Sequence, residues 1–110
     1  MKRGAKVKGN YSRMLKQIQK MREEIAKIQE ELAKERLEVS AGGGMVTAVV
    51  NGQQEILGIR INPAAVDPND VEILEEMILA AVNQALRQSR DLATEKMSRL
   101  TGGLSIPGLF

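Results

Sequence analysis

Apolar residues recur along this chain with two different periods, and the switches between them mark its elements. From about Tyr11 to Arg36, Met14, Ile18, Met21, Ile25, Ile28 and Leu32 follow one another at spacings of four and three. That rhythm predicts an amphipathic helix with an a/d seam of about three heptads. Ser12 reads as its N-cap. A helix of this length spans about 37 Å, which is long for a chain of 110 residues. Part of it must project beyond the core or pack on another chain. The seam suits packing within the molecule alone, or such packing together with a partner contact.

The period then falls to two. Leu37, Val39 and Ala41 alternate with Glu38 and Ser40 as a half-buried strand does. Gly42-Gly43-Gly44 reads as a turn, and Met45–Val50 as a second strand. Asn51-Gly52 is a hairpin signal, because a tight turn needs positive φ values. Ile56–Ile61 is the third strand, with Leu57, Ile59 and Ile61 on one face. Met45, Thr47, Val49 and Ile56 share the other face with Gly58 and Arg60, so both faces carry apolar side chains and the sheet wants two covers. Short turns between three strands predict an antiparallel meander.

Pro63 ends the third strand. Asp67-Pro68-Asn69-Asp70 reads as a helix start, with Asp67 as N-cap and Pro68 in the first helical position. The helix runs to about Leu100, where Thr101-Gly102-Gly103 stops it. Its apolar stripe includes Val71, Leu74, Ile78, Ala81, Ala85, Leu92 and Leu100. Between Met77 and Leu86, apolar residues surround the helix almost completely, which calls for burial on more than one side. Met77, Ile78, Leu79, Val82 and Leu86 are therefore the candidate dimer interface. The expected architecture is α+β: an α-β-β-β-α order, a three-stranded antiparallel sheet and two long helices, assembled as a homodimer. Residues 1–10 read as a flexible basic arm, 11–101 as a single domain, and 102–110 as an apolar tail broken by Gly and Pro.

Composition narrows the chemistry. The chain has no cysteine and no histidine. That excludes disulfides, thiolate and imidazole catalysis, and Cys/His zinc sites. Tyr11 and Phe110 are its only aromatic residues, so the core must be aliphatic. The longest apolar run, Met77–Val82, falls far short of the roughly 20 residues of a membrane span. No apolar run follows the basic N-terminus as in a secretory signal. A cytoplasmic protein with no membrane association is expected.

Net charge is only +2, but the charges are segregated. Residues 1–22 hold eight cations (Lys2, Arg3, Lys6, Lys8, Arg13, Lys16, Lys20 and Arg22) and no acid. Residues 61–86 hold five acids and no cation, and Arg87, Arg90, Lys96 and Arg99 follow. Such asymmetry points a positive surface at a polyanion. Along the second half of the first helix, Glu23, Glu24, Glu30, Glu31 and Glu35 can pair with Lys27, Lys34 and Arg36; residues 1–22 have no such acids nearby. Stacking aromatics, usual in single-strand readers, are almost absent, so duplex DNA is the better fit. Gly42-Gly43-Gly44 lacks the Lys-Ser/Thr of a phosphate-binding loop and leads into a strand. Asp70, Glu72, Glu75 and Glu76 could bind a hard cation, but acids in a first helical turn ordinarily stabilise the helix. The chain reads as a non-enzyme with no cofactor and no metal.

Several segments in order resemble the YbaB/EbfC family of nucleoid-associated proteins, from about Ser12 to Phe110. They are Met14-Leu15-Lys16-Gln17-Ile18-Gln19-Lys20-Met21, the Ser40-Ala41-Gly42-Gly43-Gly44-Met45-Val46 junction, the Gly52 turn and Ile59-Arg60-Ile61-Asn62-Pro63. Leu79-Ala80-Ala81-Val82-Asn83-Gln84-Ala85, Glu95-Lys96-Met97 and Thr101-Gly102-Gly103-Leu104 complete the set. The resemblance implies a homodimer whose helical arms project like tweezers from a shared β-rich body. It also implies DNA binding in the nucleoid, linked to chromosome organisation, gene regulation or repair, with recombination-repair proteins as further partners. It favours Lys16, Lys20 and Arg22 on the first helix, and Arg87, Arg90, Lys96 and Arg99 on the second, for DNA contact. The expected function is binding of double-stranded DNA by a homodimer with limited sequence specificity. The alternative is an interaction or adaptor module of a recombination-repair system whose DNA contact is incidental.

Overall fold

A computed structural model describes the backbone of residues 2–100 and side chains of residues 10–100. The order is α1 (Lys2–Lys34), β1 (Leu37–Ala41), β2 (Val46–Val50), β3 (Ile56–Ile61), a short 3-10 turn (Pro63–Ala65) and α2 (Val71–Leu100). The strands form one antiparallel sheet in the order β1-β2-β3. This is the α+β meander expected from the periodicity. The expected tail, residues 102–110, lies outside the described residues.

The core sits between one sheet face and α2. Val39 of β1, with Val46, Ala48 and Val50 of β2, packs against Ala81 and Ala85 of α2, and all six are buried. Alanines at these contact points let helix and sheet backbones approach closely. Met77, Ile78, Val82 and Leu86 pack partly against this same core.

The β2–β3 turn is where both helices are fastened. Gly52 N–H donates to the Leu32 carbonyl near the end of α1, at 2.7 Å. Leu32 is 1% exposed, and a Cβ on Gly52 would stand 2.7 Å from its Cδ2 and 2.8 Å from its carbonyl oxygen. Glycine is therefore required here for close approach. From the other side comes Ser89 of α2, fully buried. Its hydroxyl donates to the Asn51 carbonyl at 2.6 Å and accepts from Gln54 N–H at 3.0 Å and from Gln54 Nε2 at 3.1 Å. One donor and two acceptor positions are thus all used. Within the turn, Asn51 Oδ1 accepts from the backbone N–H groups of Gln53 and Glu55, and Asn51 Nδ2 donates to Glu55.

Four local expectations need correction. First, α1 begins at Lys2 rather than near Tyr11, so Ser12 lies inside the helix and residues 2–10 continue it. No proline interrupts this stretch, and Gly4 and Gly9 weaken a helix by only about 1 kcal/mol each. Second, positive φ falls on Gln54 (60°) and not on Asn51-Gly52. Third, Val49 pairs with Gly58 and Val50 with Ile56, leaving Leu57 as an unpaired bulge residue. The bulge moves Ile56 to the α2 side of the sheet, alongside Ile59 and Ile61. Fourth, Asp67 heads a β-turn instead of capping α2: its carbonyl accepts from Asp70 N–H and its carboxylate from Asn69 N–H. Pro68 occupies the turn position that its fixed φ favours.

The second sheet face, which also carries Val49, is spanned by polar pairs. Arg60 of β3 grips Glu38 of β1 through two hydrogen bonds of 3.0 and 3.2 Å, reaching across β2, and Ser40 bonds Thr47 at 2.9 Å.

Replacing Ser89 by Ala strands the Asn51 carbonyl and the Gln54 N–H without partners. It is expected to lower stability by about 1–3 kcal/mol, read as a fall in urea midpoint at unchanged slope. Gly52→Ala forces Leu32 away and should lower Tm further while loosening α1, read by amide exchange near Leu32.

Candidate nucleic-acid interface

The arm arises because α1 is fastened only near its C-terminal end. The molecule measures 83 × 24 × 18 Å, and an α1 of 33 residues is about 50 Å long at 1.5 Å per residue. Leu32 is buried and Ile25 and Ile28 are half-buried, whereas every residue from 10 to 24 is exposed. At 100° per residue, Arg13, Lys16 and Lys20 share an arc of about 60°, on the opposite side from Met14, Ile18 and Met21. Arg22 lies between these two faces. All four cations are exposed, and none takes part in an ion pair among the described residues. Lys2, Arg3, Lys6 and Lys8 belong to the same helix.

The cations of α2 divide into two groups. Arg87 and Arg90 are exposed and make no ion pair among the described residues. Lys96 is occupied instead: its ammonium lies 3.3 Å from Glu35 and 3.6 Å from Glu31, and its side chain is only 19% exposed. It clamps the end of α2 to α1. Arg99 pairs with Glu95 at 2.7 Å, one helical turn away. Arg60 is likewise committed. Its hydrogen bonds and charge hold the Glu38 carboxyl below the usual carboxylate range, and Glu38 raises the guanidinium in return. Nothing in the spacing of residues 31–35 and 96 announces the Lys96 clamp, because 61 positions separate Lys96 from Glu35.

The residues expected at a dimer interface also divide. Met77, Ile78, Val82 and Leu86 lean on their own core, while Leu79 is 61% exposed. A further apolar surface, which the sequence reading did not assign to the interface, lies on β3. By register Ile56, Ile59 and Ile61 face the side that α2 covers, yet α2 lies over β1 and β2, and these three isoleucines remain exposed. The bulge, invisible in the sequence, is what adds Ile56 to this set. Among the described residues no three carboxylates gather closely enough to hold a metal ion, and no helix is long and apolar enough to cross a membrane.

The chain is 55% identical to a protein of Desulforamulus reducens over 102 residues, which is 93% of this chain and 97% of that one. It is 54% identical to one of Pelotomaculum thermopropionicum with the same coverage, and both relatives are named nucleoid-associated proteins. The fold matches the crystal structure of the uncharacterized protein HP0035 from Helicobacter pylori with a TM-score of 0.76, covering 83% of this chain and 96% of that chain at 20% identity. Residues 8–104 match the YbaB/EbfC DNA-binding family, and the chain belongs to that family.

Proposed function

We propose that this protein is a nucleoid-associated, non-enzymatic DNA-binding protein that grips double-stranded DNA as a homodimer with limited sequence specificity. Its role would lie in chromosome organisation, gene regulation or repair. The observation that carries this reading is the projecting half of α1, whose Arg13, Lys16, Lys20 and Arg22 are exposed and unpaired among the described residues. Such cations neutralise DNA phosphates and release the counterions condensed on them, which gives affinity without reading bases. The names of the relatives support the nucleoid setting. Arg87 and Arg90 add to the surface, whereas Lys96 and Arg99 are spent on Glu31, Glu35 and Glu95.

Dimerisation would bring two such arms to one duplex. Its support is the uncovered run of Ile56, Ile59 and Ile61 on edge strand β3, together with exposed Leu79. An exposed apolar edge strand is a liability that a second copy removes. Met77, Ile78, Val82 and Leu86 would contribute where they emerge from the core.

Three outcomes are expected. Combined Lys16→Ala, Lys20→Ala and Arg22→Ala should weaken duplex binding and flatten the plot of log K against log salt by about 0.9 for each phosphate no longer neutralised. Combined Lys96→Ala and Arg99→Ala should leave that slope nearly unchanged; equal losses of affinity from both sets in a filter-binding titration would move the interface off the arm. Ile59→Lys, on an exposed position, should convert dimers to monomers in sedimentation and lower duplex affinity at preserved far-UV circular dichroism. Dimers unaffected by this change would place the interface elsewhere.

A further inference from the structure

One apolar feature is left over once core, arm cations and edge strand are assigned. The α1 seam is buried at Leu32 and half-buried at Ile28 and Ile25, then continues bare through Met21, Ile18 and Met14, which are 48%, 42% and 55% exposed. Among the described residues its cover ends with α2, where Arg99 and Leu100 line a groove with Ile28 and Glu31. Tyr11, Ile18 and Ile25 hold the a positions of this repeat, and Met14, Met21 and Ile28 the d positions. The positions bordering the bare part are Asn10, Leu15 and Gln17, all uncharged, followed by Arg22 and Glu24. Arg13, Lys16 and Lys20 lie on the opposite side of the helix. The stripe is thus an apolar face with largely neutral borders, the kind of surface one helix offers to another.

We propose that a second copy of α1 packs antiparallel along this seam, with Ile18 of each chain beside Met21 of the other and Met14 beside Ile25. Charge sets the direction. Residues 1–22 hold eight cations and no acid, whereas residues 23–35 hold five acids against Lys27 and Lys34. Lys96 of α2 offsets Glu31 and Glu35 only in part. A parallel pair would set basic half beside basic half. An antiparallel pair sets each basic half beside the acidic half of the other chain, which is attractive. At the borders, this packing brings Leu15 against the aliphatic stem of Arg22 and Gln17 against Glu24, so no like charges meet there. The area suits a reversible contact. Tyr11, Met14, Leu15, Ile18 and Met21 are exposed, and covering them on both chains takes on the order of 800 Å² of apolar surface out of water, the size of a transient interface. A helix half without tertiary packing is marginal in water, so pairing also stiffens both arms. Arg13, Lys16 and Lys20 stay on the outer sides of the pair. The contact is separate from the β3 edge and does not depend on what the arm binds.

The chain has no cysteine, so introduced thiols report cleanly. Chains carrying Met14→Cys, mixed with chains carrying Ile25→Cys and mildly oxidised at low salt, should crosslink to each other. Neither variant alone should crosslink, because in this register the two copies of residue 14 stand about 16 Å apart along the axis, beyond disulfide reach. Ile18→Asp added to both chains, at an exposed position, should cut the mixed crosslink by on the order of tenfold. Self-crosslinking of Met14→Cys would make the pair parallel and overturn the proposal. Absence of any crosslink between chains would overturn it in favour of another occupant of the seam. Independently, in the Ile59→Lys background, amide exchange across residues 11–21 should slow several-fold as protein concentration rises from micromolar to millimolar. Exchange there that does not change with concentration would also overturn it.

Discussion

The buried hydroxyl of Ser89 and the glycine contact opposite it determine how the rest of this molecule is arranged. A single turn, residues 51–55, is held from α2 through Ser89 and from α1 through the Leu32 carbonyl. Buried polar groups are costly unless bonded, so the turn has little freedom to sit elsewhere. With the turn fixed, β2 and β3 are set in register, α2 lies across β1 and β2, and α1 is fastened near one end only. The projecting arm follows from that single-ended attachment.

Charge is sorted by the same geometry. Where α1 and α2 run together, Glu31 and Glu35 face Lys96, and the surface there is internally balanced. Where α1 leaves the body, acids stop and cations remain. Lys96 thus serves the fold, whereas Arg13, Lys16, Lys20 and Arg22 on the projecting half of α1, with Arg87 and Arg90 on α2, make no ion pair among the described residues. Arg60, though exposed, likewise serves the fold, since Glu38 accepts from both terminal nitrogens of its guanidinium.

Period and punctuation made most of the fold legible. The β1 and β3 boundaries fall where alternation and Pro63 place them, and the α2 stripe contains the buried Ala81 and Ala85. The misses at the β2–β3 turn and at Lys96 share a cause, long-range contacts, while those at Asp67 and the start of α1 are local. Asn51-Gly52 reads locally as a two-residue turn, but Gly52 is needed against Leu32, and positive φ passes to Gln54, whose amide reaches Ser89. Asp67 carries a good capping side chain but spends it on Asn69. The start of α1 was hidden because two glycines in a basic segment resemble a loop, although nothing there forbids a helix. The charged arm was legible as a run without acids; the Lys96 clamp was not, because only the fold brings its partners near.

The most direct measurement is an isotope-edited NMR titration of the full chain with a short DNA duplex at low salt. Amide and side-chain shifts should move along residues 10–24 and near Arg87 and Arg90, and stay still on the sheet face of Glu38, Ser40, Thr47 and Arg60. Shifts centred on that sheet face or on Asp67–Glu76, with the α1 arm silent, would contradict an interface built from the free end of α1.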